Sequence, residues 1–334
     1  MNSFRSHRLR DLTVPTSTAW LLADVSEARG KQELYTRQSP QILKALRDTA
    51  IIQSAESSNR IEGVTVDHDR LRPLILGNAR PRDRSEEEVV GYRRALNEIH
   101  AKAAGIPINA ATLKHLHTLC QHGSGDAGQF KRVDNEVIQL VPGAAPVVRF
   151  RCVAAKKTPA AVEELCLLYR HALDQDHIPP LIAIAGLILD FLCIHPFRDG
   201  HGRVSRLLAL LALYQHGYEV GRYVSLERLV EESKEDYYEC LHRSSQRWHE
   251  GRHELTPWFN FLLAIILYWG LYMNGVPGLK PILAAPPPGS EAAVAGFAAG
   301  DTIARIGEQP VATWNDVRWL LLKHAVNRSP VKVE

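Results

Sequence analysis

The chain has 334 residues, of which 45% are hydrophobic and 23% charged, with a formal net charge of +3. That is enough apolar material for a sizeable core and for two or three units, and too little excess charge to indicate nucleic acid as a partner. Five cysteines, Cys120, Cys152, Cys166, Cys193 and Cys240, form no CxxC pair, and with no apolar leader this odd count fits a reducing cytoplasm and not a disulfide framework.

In chain order, residues 1–40 read as extended and basic, and 41–77 as helical. Residues 84–122 hold two amphipathic helices, EEEVVGYRRALNEIHAKA and NAATLKHLHTLC. Between 128 and 166 the pattern turns extended: Val137, Ile138 and Leu140 precede Pro142-Gly143, and Val147, Val148 and Phe150 follow it, which predicts a small hairpin. Pro179 and Pro180 open an apolar helix over 181–194 that Pro196 stops, and RVSRLLALLALYQHG resumes as a helix ending at Gly217. ERLVEESKEDYYECLHRSSQRW predicts one amphipathic helix, whose Tyr237 or Tyr238 either packs in the core or stacks on a nucleobase. Leu255 to Leu279 carries no charge and approaches the length of a membrane span, while Asn260, Pro257 and Pro277 argue for a shorter buried helix.

The twelve residues from His195 to Arg206, HPFRDGHGRVSR, combine groups that suit a triphosphate. His195 can take a proton from a hydroxyl, and Asp199 can hold Mg2+ through a hard oxygen. Gly200 and Gly202 let the backbone approach an anion where a helix begins, with its free N–H groups and positive dipole end. Arg203 and Arg206, three apart on one helix face, offer planar donor forks to phosphate. A plain corner between two helices would need neither the glycines flanking His201 nor an acid between Arg198 and Gly200.

This segment resembles the signature of the Fic (Fic/Doc) family, HPFx[D/E]GNGRxxR. The resemblance implies a mainly α protein, a Fic-type helical core with a small β-hairpin flap. It also implies a protein adenylyltransferase (AMPylase) that moves AMP from Mg-ATP to a Ser, Thr or Tyr hydroxyl of a target protein. On the same resemblance His195 is the general base, Asp199 the Mg2+ ligand and Phe197 the buried anchor of the loop. Gly200, His201 and Gly202 line the nucleotide, and Arg203 and Arg206 hold its outer phosphates. His201 stands where the family has Asn, and an imidazole is bulkier than an amide and titrates near neutrality. A catalytically weakened nucleotide-binding interaction protein of the same fold therefore stays open as a second reading.

SAESSNRIEG, 54–63, resembles the family's inhibitory pattern [S/T]xxxE[G/N] through Ser58, Glu62 and Gly63. The resemblance implies that Glu62 pairs with Arg206 and crowds out the γ-phosphate; without it, a solvated Glu before a Gly cap would be the better reading. The hairpin over 137–150 matches the family's flap, which would dock the target by main-chain pairing. Self-modification and a homo-oligomer are both compatible with the pattern.

Residues from about 260 resemble the membrane segment and partial PDZ domain of site-2 intramembrane metalloproteases. The PDZ-like parts over 290–334 are an AGFAAGD turn, a strand from Thr302 to Ile306, a turn at Gly307 to Gln309, a helix from Trp314 and a last strand, with Pro286–Pro288 as linker. HEGRH at 249–253 has the zinc-site spacing HExxH, yet a glycine sits inside it and no third ligand motif follows. The expected organisation is an N-terminal region with the inhibitory helix (1–83), a Fic catalytic core (84–255), an apolar helix (256–280) and a C-terminal α+β partial PDZ-like tail (281–334). A cytoplasmic location is expected, with membrane association through 257–279 as the alternative for a tethered fusion protein.

Overall fold

The computed structural model describes residues 1–32, 40–139, 146–274, 280–307, 309–311, 313–314, 316–317, 320–321 and 332–334. Two units separate by contacts, Met1–Met273 and Asn274–Glu334.

The first unit is built around two consecutive buried helices, α7 (Pro180–Ile194) and α8 (His201–Gln215). Both are apolar on nearly every face, as a helix enclosed by others must be, and Leu187, Phe191 and Ile194 share one core with Val204, Leu207 and Leu211. Pro180 suits the first turn of α7, where a missing N–H costs nothing. At the other end His195 takes a left-handed conformation (φ 54°), and Pro196 prevents the helix from continuing. Gly200, also left-handed at φ 75°, caps the start of α8. The motif is thus the tight loop between the two central helices.

Around this pair lie α1 (Thr16–Gly30), α2 (Pro40–Ile61), α3 (His68–Ile75), α4 (Arg84–Lys102), α5 (Ala110–Cys120) and α6 (Thr158–Asp174). Between α5 and α6 the strands β1 (Glu136–Gln139) and β2 (Val147–Arg151) pair antiparallel, with Val137 opposite Phe150 and Ile138 opposite Val148. The hairpin is therefore where its alternating pattern predicts it, although its turn at Pro142-Gly143 and Leu140 lie outside the described residues.

Two expectations need correction, and two alternatives left open by the sequence lose their support. Within 1–40, the described residues 1–32 are not extended: α1 follows Pro15, buries Val25 and Ala28 three residues apart, and ties Thr18 Oγ1 to Asn260 Oδ1 at 2.6 Å. The segment before it is packed as well, with Ser3 fully buried. The helix expected over 227–248 is two, α9 (Leu226–Glu232) and α10 (Lys234–Ser245), broken where Ser233 leaves helical geometry at ψ 31°. The apolar segment is α11 (Thr256–Asn274), which belongs to the first unit's core: Trp258, Phe259, Leu262, Leu263 and Ile266 are buried, and Trp258 Nε1 donates to Ala185 O at 2.9 Å. Among the described residues no helix is long and apolar enough to cross a membrane. HEGRH is not helical, because Arg247 and Gly251 are both left-handed and bracket a single turn. His249 and His253 consequently share no helix face, and among the described residues no group of three or more His, Cys, Asp or Glu is placed to hold a metal ion.

In the second unit, α12 (Glu291–Val294) precedes the short pair β3 (Arg305–Ile306) and β4 (Gln309–Pro310). Ile303, Ile306 and Val317 form a small core with Leu283, Val311, Trp314, Leu320 and Val333 against it. Isolated bridges join Ile282 to Thr302 and Ile306 to Val333, so the expected strand and turn are present in shortened form. Much of the expected helix from Trp314 and of the last strand lies outside the described residues.

Burial pushes the imidazoles of His100, His195 and His253 down from 6.5 to about 4. Below pH 6.5 the unfolded chain takes up protons that the folded chain refuses, so stability present above that pH is lost as pH falls toward 4. Thermal melts are expected to show the first unit's midpoint falling by roughly 5 °C or more across this window. A midpoint that stays level would contradict the burial of these three rings.

Candidate functional site

The loop between α7 and α8 is held from several sides. Phe197 is fully buried and stacks on His117 with ring centroids 3.9 Å apart and planes 5° from parallel. His117 Nδ1 accepts the Gly128 N–H at 2.9 Å, so its other nitrogen carries the proton and donates to Asp199 O at 3.0 Å. Lys131 donates its backbone N–H to Pro196 O (2.9 Å) and its Nζ to Ile194 O (3.0 Å) and Asn135 Oδ1 (2.6 Å). Asn135 Nδ2 in turn donates to Phe197 O at 3.1 Å. Each carbonyl so bound belongs to a segment that can make no helical hydrogen bond, so His117, Lys131 and Asn135 supply the donors it needs. None of the three stands out in the sequence: Lys131 and Asn135 fall in a stretch read only as the approach to the hairpin, and His117 in one read only as an amphipathic helix.

His195 donates from Nδ1 to Leu192 O at 3.0 Å, which fixes its tautomer and leaves the Nε2 lone pair as the proton acceptor. Burial, with its pKa near 4, keeps the ring neutral at pH 7. His201, the first residue of α8, lies 3.2 Å from it between ring centroids. Burial first, and the neighbouring His195 second, push His201 well below the usual imidazole value, and its buried Nδ1 has no hydrogen-bond partner among the described residues. Asp199 is exposed, and one of its carboxylate oxygens accepts the Gly200 N–H at 2.6 Å. An exposed hard carboxylate beside a phosphate-type loop fits Mg2+.

The arginines part company. Arg203 is 1% exposed and turns into the core, where Nη1 meets Glu88 Oε2 at 2.5 Å and Asn59 Oδ1 at 3.1 Å. It cross-ties α2, α4 and α8. Arg206 donates from Nε to Ser58 Oγ (2.8 Å) and from Nη2 to Ser58 O (2.8 Å) and Glu62 Oε1 (2.7 Å). Burial opposes its charge, yet Glu62 beside it holds the guanidinium above its ordinary pKa. Glu62 also reaches the start of α8, because a Cβ built on Gly202 would meet Glu62 Oε1 at 2.1 Å. A carboxylate therefore lies against the first turn of α8 and in the Arg206 fork together, a helix N-terminus and a guanidinium that each favour an anion.

The end of α2 explains how Glu62 is aimed. Val64 N bonds to Asn59 O and Gly63 N to Arg60 O, both at 3.0 Å, which is the paired pattern of a glycine-terminated helix. Gly63 stands at φ 81°, where a side chain is strained. Tyr237 is buried against Trp258 and Phe261, whereas Tyr238 is 46% exposed, so only the latter offers a ring face to a ligand.

Residues 107–213 match the model of the Fic/DOC family. The chain carries a Fic/DOC family domain. The whole motif lies inside the match, and Ser58 and Glu62 lie before it. The Fic fold extends further: a Fic domain containing signaling protein of Bacteroides thetaiotaomicron superposes with a TM-score of 0.62 at 22% identity, covering 75% of this chain and 96% of that one. A Fic family protein of Desulfovibrio desulfuricans gives 0.63 at 19% identity, over 81% and 78% of the two chains. A Fido domain-containing protein of Dictyostelium discoideum is 32% identical over 73 residues, which is 22% of this chain and 47% of that protein. A separate kind of relative, described as a zinc metalloprotease of Ralstonia nicotianae, is 45% identical over 75 residues, 21% of this chain and 16% of that protein. The chain thus spans less than half the length of either of these two relatives.

Gly63→Ala places a β-carbon at a left-handed position, at a cost of about 1 kcal/mol, and loosens the aim of Glu62. A lower melting midpoint together with tighter Mg-ATP binding is expected by calorimetry. Gly105→Ala, where the added atom meets nothing within 4 Å, is expected to leave both unchanged.

Proposed function

We propose that the chain is an autoinhibited protein adenylyltransferase, moving AMP from Mg-ATP to a Ser, Thr or Tyr hydroxyl of a target protein. The observation that carries this reading is the double placement of Glu62, on Arg206 at 2.7 Å and against Gly202 at the start of α8. A carboxylate stands where a nucleotide's phosphate would bind, and it is delivered by an element outside the family match.

The chemistry rests mainly on positioning and charge neutralisation. As the hydroxyl oxygen bonds to the α-phosphorus, the bond from that phosphorus to the pyrophosphate oxygen breaks, and the hydroxyl proton passes to His195 Nε2. His195 is neutral with Nδ1 tied to Leu192 O, so it is ready to accept. The N–H groups at the start of α8 and, once Glu62 withdraws, Arg206 hold the phosphates. Mg2+ on Asp199 would neutralise charge on the leaving pyrophosphate. Arg203 acts from behind by fixing α8 to Glu88.

The target would dock on the flap, whose Ile138, Val147 and Val148 are exposed and whose strands have open edges. Free cysteines throughout support a cytoplasmic setting. The metalloprotease likeness supports reading the PDZ-like tail as a piece joined to the Fic domain. The 3.2 Å crowding of His195 by His201 favours a second reading, in which the domain binds nucleotide and transfers poorly.

Incubated with Mg-ATP, the Glu62→Gly chain is expected to gain AMP by mass spectrometry more than tenfold faster than the parent, and Glu62→Gly/His195→Ala is expected to gain none. Equal labelling of Glu62→Gly and parent would overturn the brake. His201→Asn, added to Glu62→Gly, separates the two readings: a rise of about tenfold or more in transfer with unchanged ATP affinity supports the second, and unchanged transfer supports the first.

A further inference from the structure

The flap cannot hold its own position. A two-stranded hairpin is marginal in water, and β2 is exposed along its length except at Phe150, which is half-buried. Something outside the hairpin must tie it down, and the structure shows what does. His249 stacks on Phe150, with centroids 5.3 Å apart and planes 8° from parallel, while its Nε2 hydrogen bonds to Arg151 O at 2.7 Å. A carbonyl can only accept, so the ring nitrogen carries the proton. Trp248 meets the same Phe150 edge-on at 6.3 Å. Both rings come from the single turn that left-handed Arg247 and Gly251 enclose, which is why adjacent residues can address one phenyl ring.

Trp248 continues the connection inward. It is 2% exposed, and Nε1 donates to Asp190 Oδ1 at 2.5 Å. Asp190 is a fully buried carboxylate on α7, five residues before His195, and it also accepts from the Ser3 N–H and the Ser3 hydroxyl. The other strand is tied to the same place, since Asn135, next to β1, bonds to Phe197 O and to Lys131, which holds Ile194 O. Glu136 and Arg151 face each other at the base of the hairpin and pair at 3.2 Å. Both ends of the flap therefore rest on the segment that carries His195.

We propose that His249 and Trp248 are positioning residues that anchor the flap to the helix ending in His195, so that a target strand added to the flap keeps a set distance from the base. The HExxH-like spacing at 249–253 is then accounted for without zinc: His249 holds the flap, and His253 is buried on Ser3. The role in target placement rests on the adenylyltransferase reading; the anchoring contact does not.

The test uses the full chain with Glu62→Gly, comparing His249→Ala, His249→Phe (ring kept, donor lost) and His249→Gln (donor kept, ring lost). Hydrogen exchange of residues 147–151 is expected to rise about tenfold in His249→Ala and less in the other two, with exchange in α7 unchanged. Transfer to unfolded casein at low acceptor concentration is expected to fall about tenfold through KM for casein, with KM for ATP unchanged and partial recovery in His249→Phe and His249→Gln. Unchanged exchange at 147–151 in His249→Ala would overturn the anchor, as would a parallel loss of ATP affinity. If His249→Ala fails to fold, the Phe and Gln variants carry the comparison. No AMP transfer from the Glu62→Gly parent would defeat the adenylyltransferase reading alone, and the exchange measurement would still decide the anchor.

Discussion

A guanidinium removed from water must be given acceptors, and Arg206, only 4% exposed, finds three of them at the C-terminal end of α2. Ser58 supplies a hydroxyl and a carbonyl, and Glu62 supplies the balancing charge. Breaking such a pair by removing one partner is costly, because the remaining charge stays buried. Replacing Glu62 by another anion is different, since a phosphate satisfies the same donors. On the proposed reading, the contact that stabilises the resting fold is also the one a nucleotide would exchange for itself, which links the packing of α2 to the proposed activity.

The proposed base and its loop depend on a complementary arrangement of neutral groups. His195 is kept uncharged by burial and is fixed by a carbonyl of its own helix. Burial is the main influence on His117 too and lowers its pKa, although the Asp199 carbonyl works the other way; its tautomer is set by Gly128. Neutral rings can be buried without partner charges, whereas an imidazolium in either place would need one. His201 strains this economy: its ring presses on His195, and its Nδ1 has no hydrogen-bond partner among the described residues. An amide at that position is smaller and could pair at both of its ends.

Where the candidate site is written in consecutive residues, its geometry was legible. HPFRDGHGRVSR and SSNRIEG each hold their chemistry within one turn and loop, and the structure brings Glu62 to Arg206 across 144 positions as the resemblance implied. Proline and left-handed glycine marked the ends of α2, α7 and α8 because their backbone limits are intrinsic. What could not be read depends on distant partners. Arg203 looked like a second phosphate fork, and only the approach of Glu88 from α4 shows it turned inward. The region before residue 40 lacked an apolar stripe, and α1 exists because Val25, Ala28 and Thr18 meet a surface from later in the chain. HEGRH had the spacing of a metal helix, but a left-handed Arg247, which no propensity indicates, turns it into a loop. The charge-free α11 was ambiguous between core and membrane until its partners, such as Ala185, were known.

The central claim is that Glu62 and a nucleotide's terminal phosphate compete for Arg206 and the start of α8. Isothermal titration of Mg-ATP and Mg-ADP into the parent and Glu62→Gly chains tests it without needing a target protein. Removal of the carboxylate is predicted to tighten ATP binding by about tenfold or more while changing ADP binding much less, since one charge-assisted contact of roughly 1.5–3 kcal/mol is released only for the longer phosphate chain. Equal gains for ATP and ADP, or none for either, would contradict it.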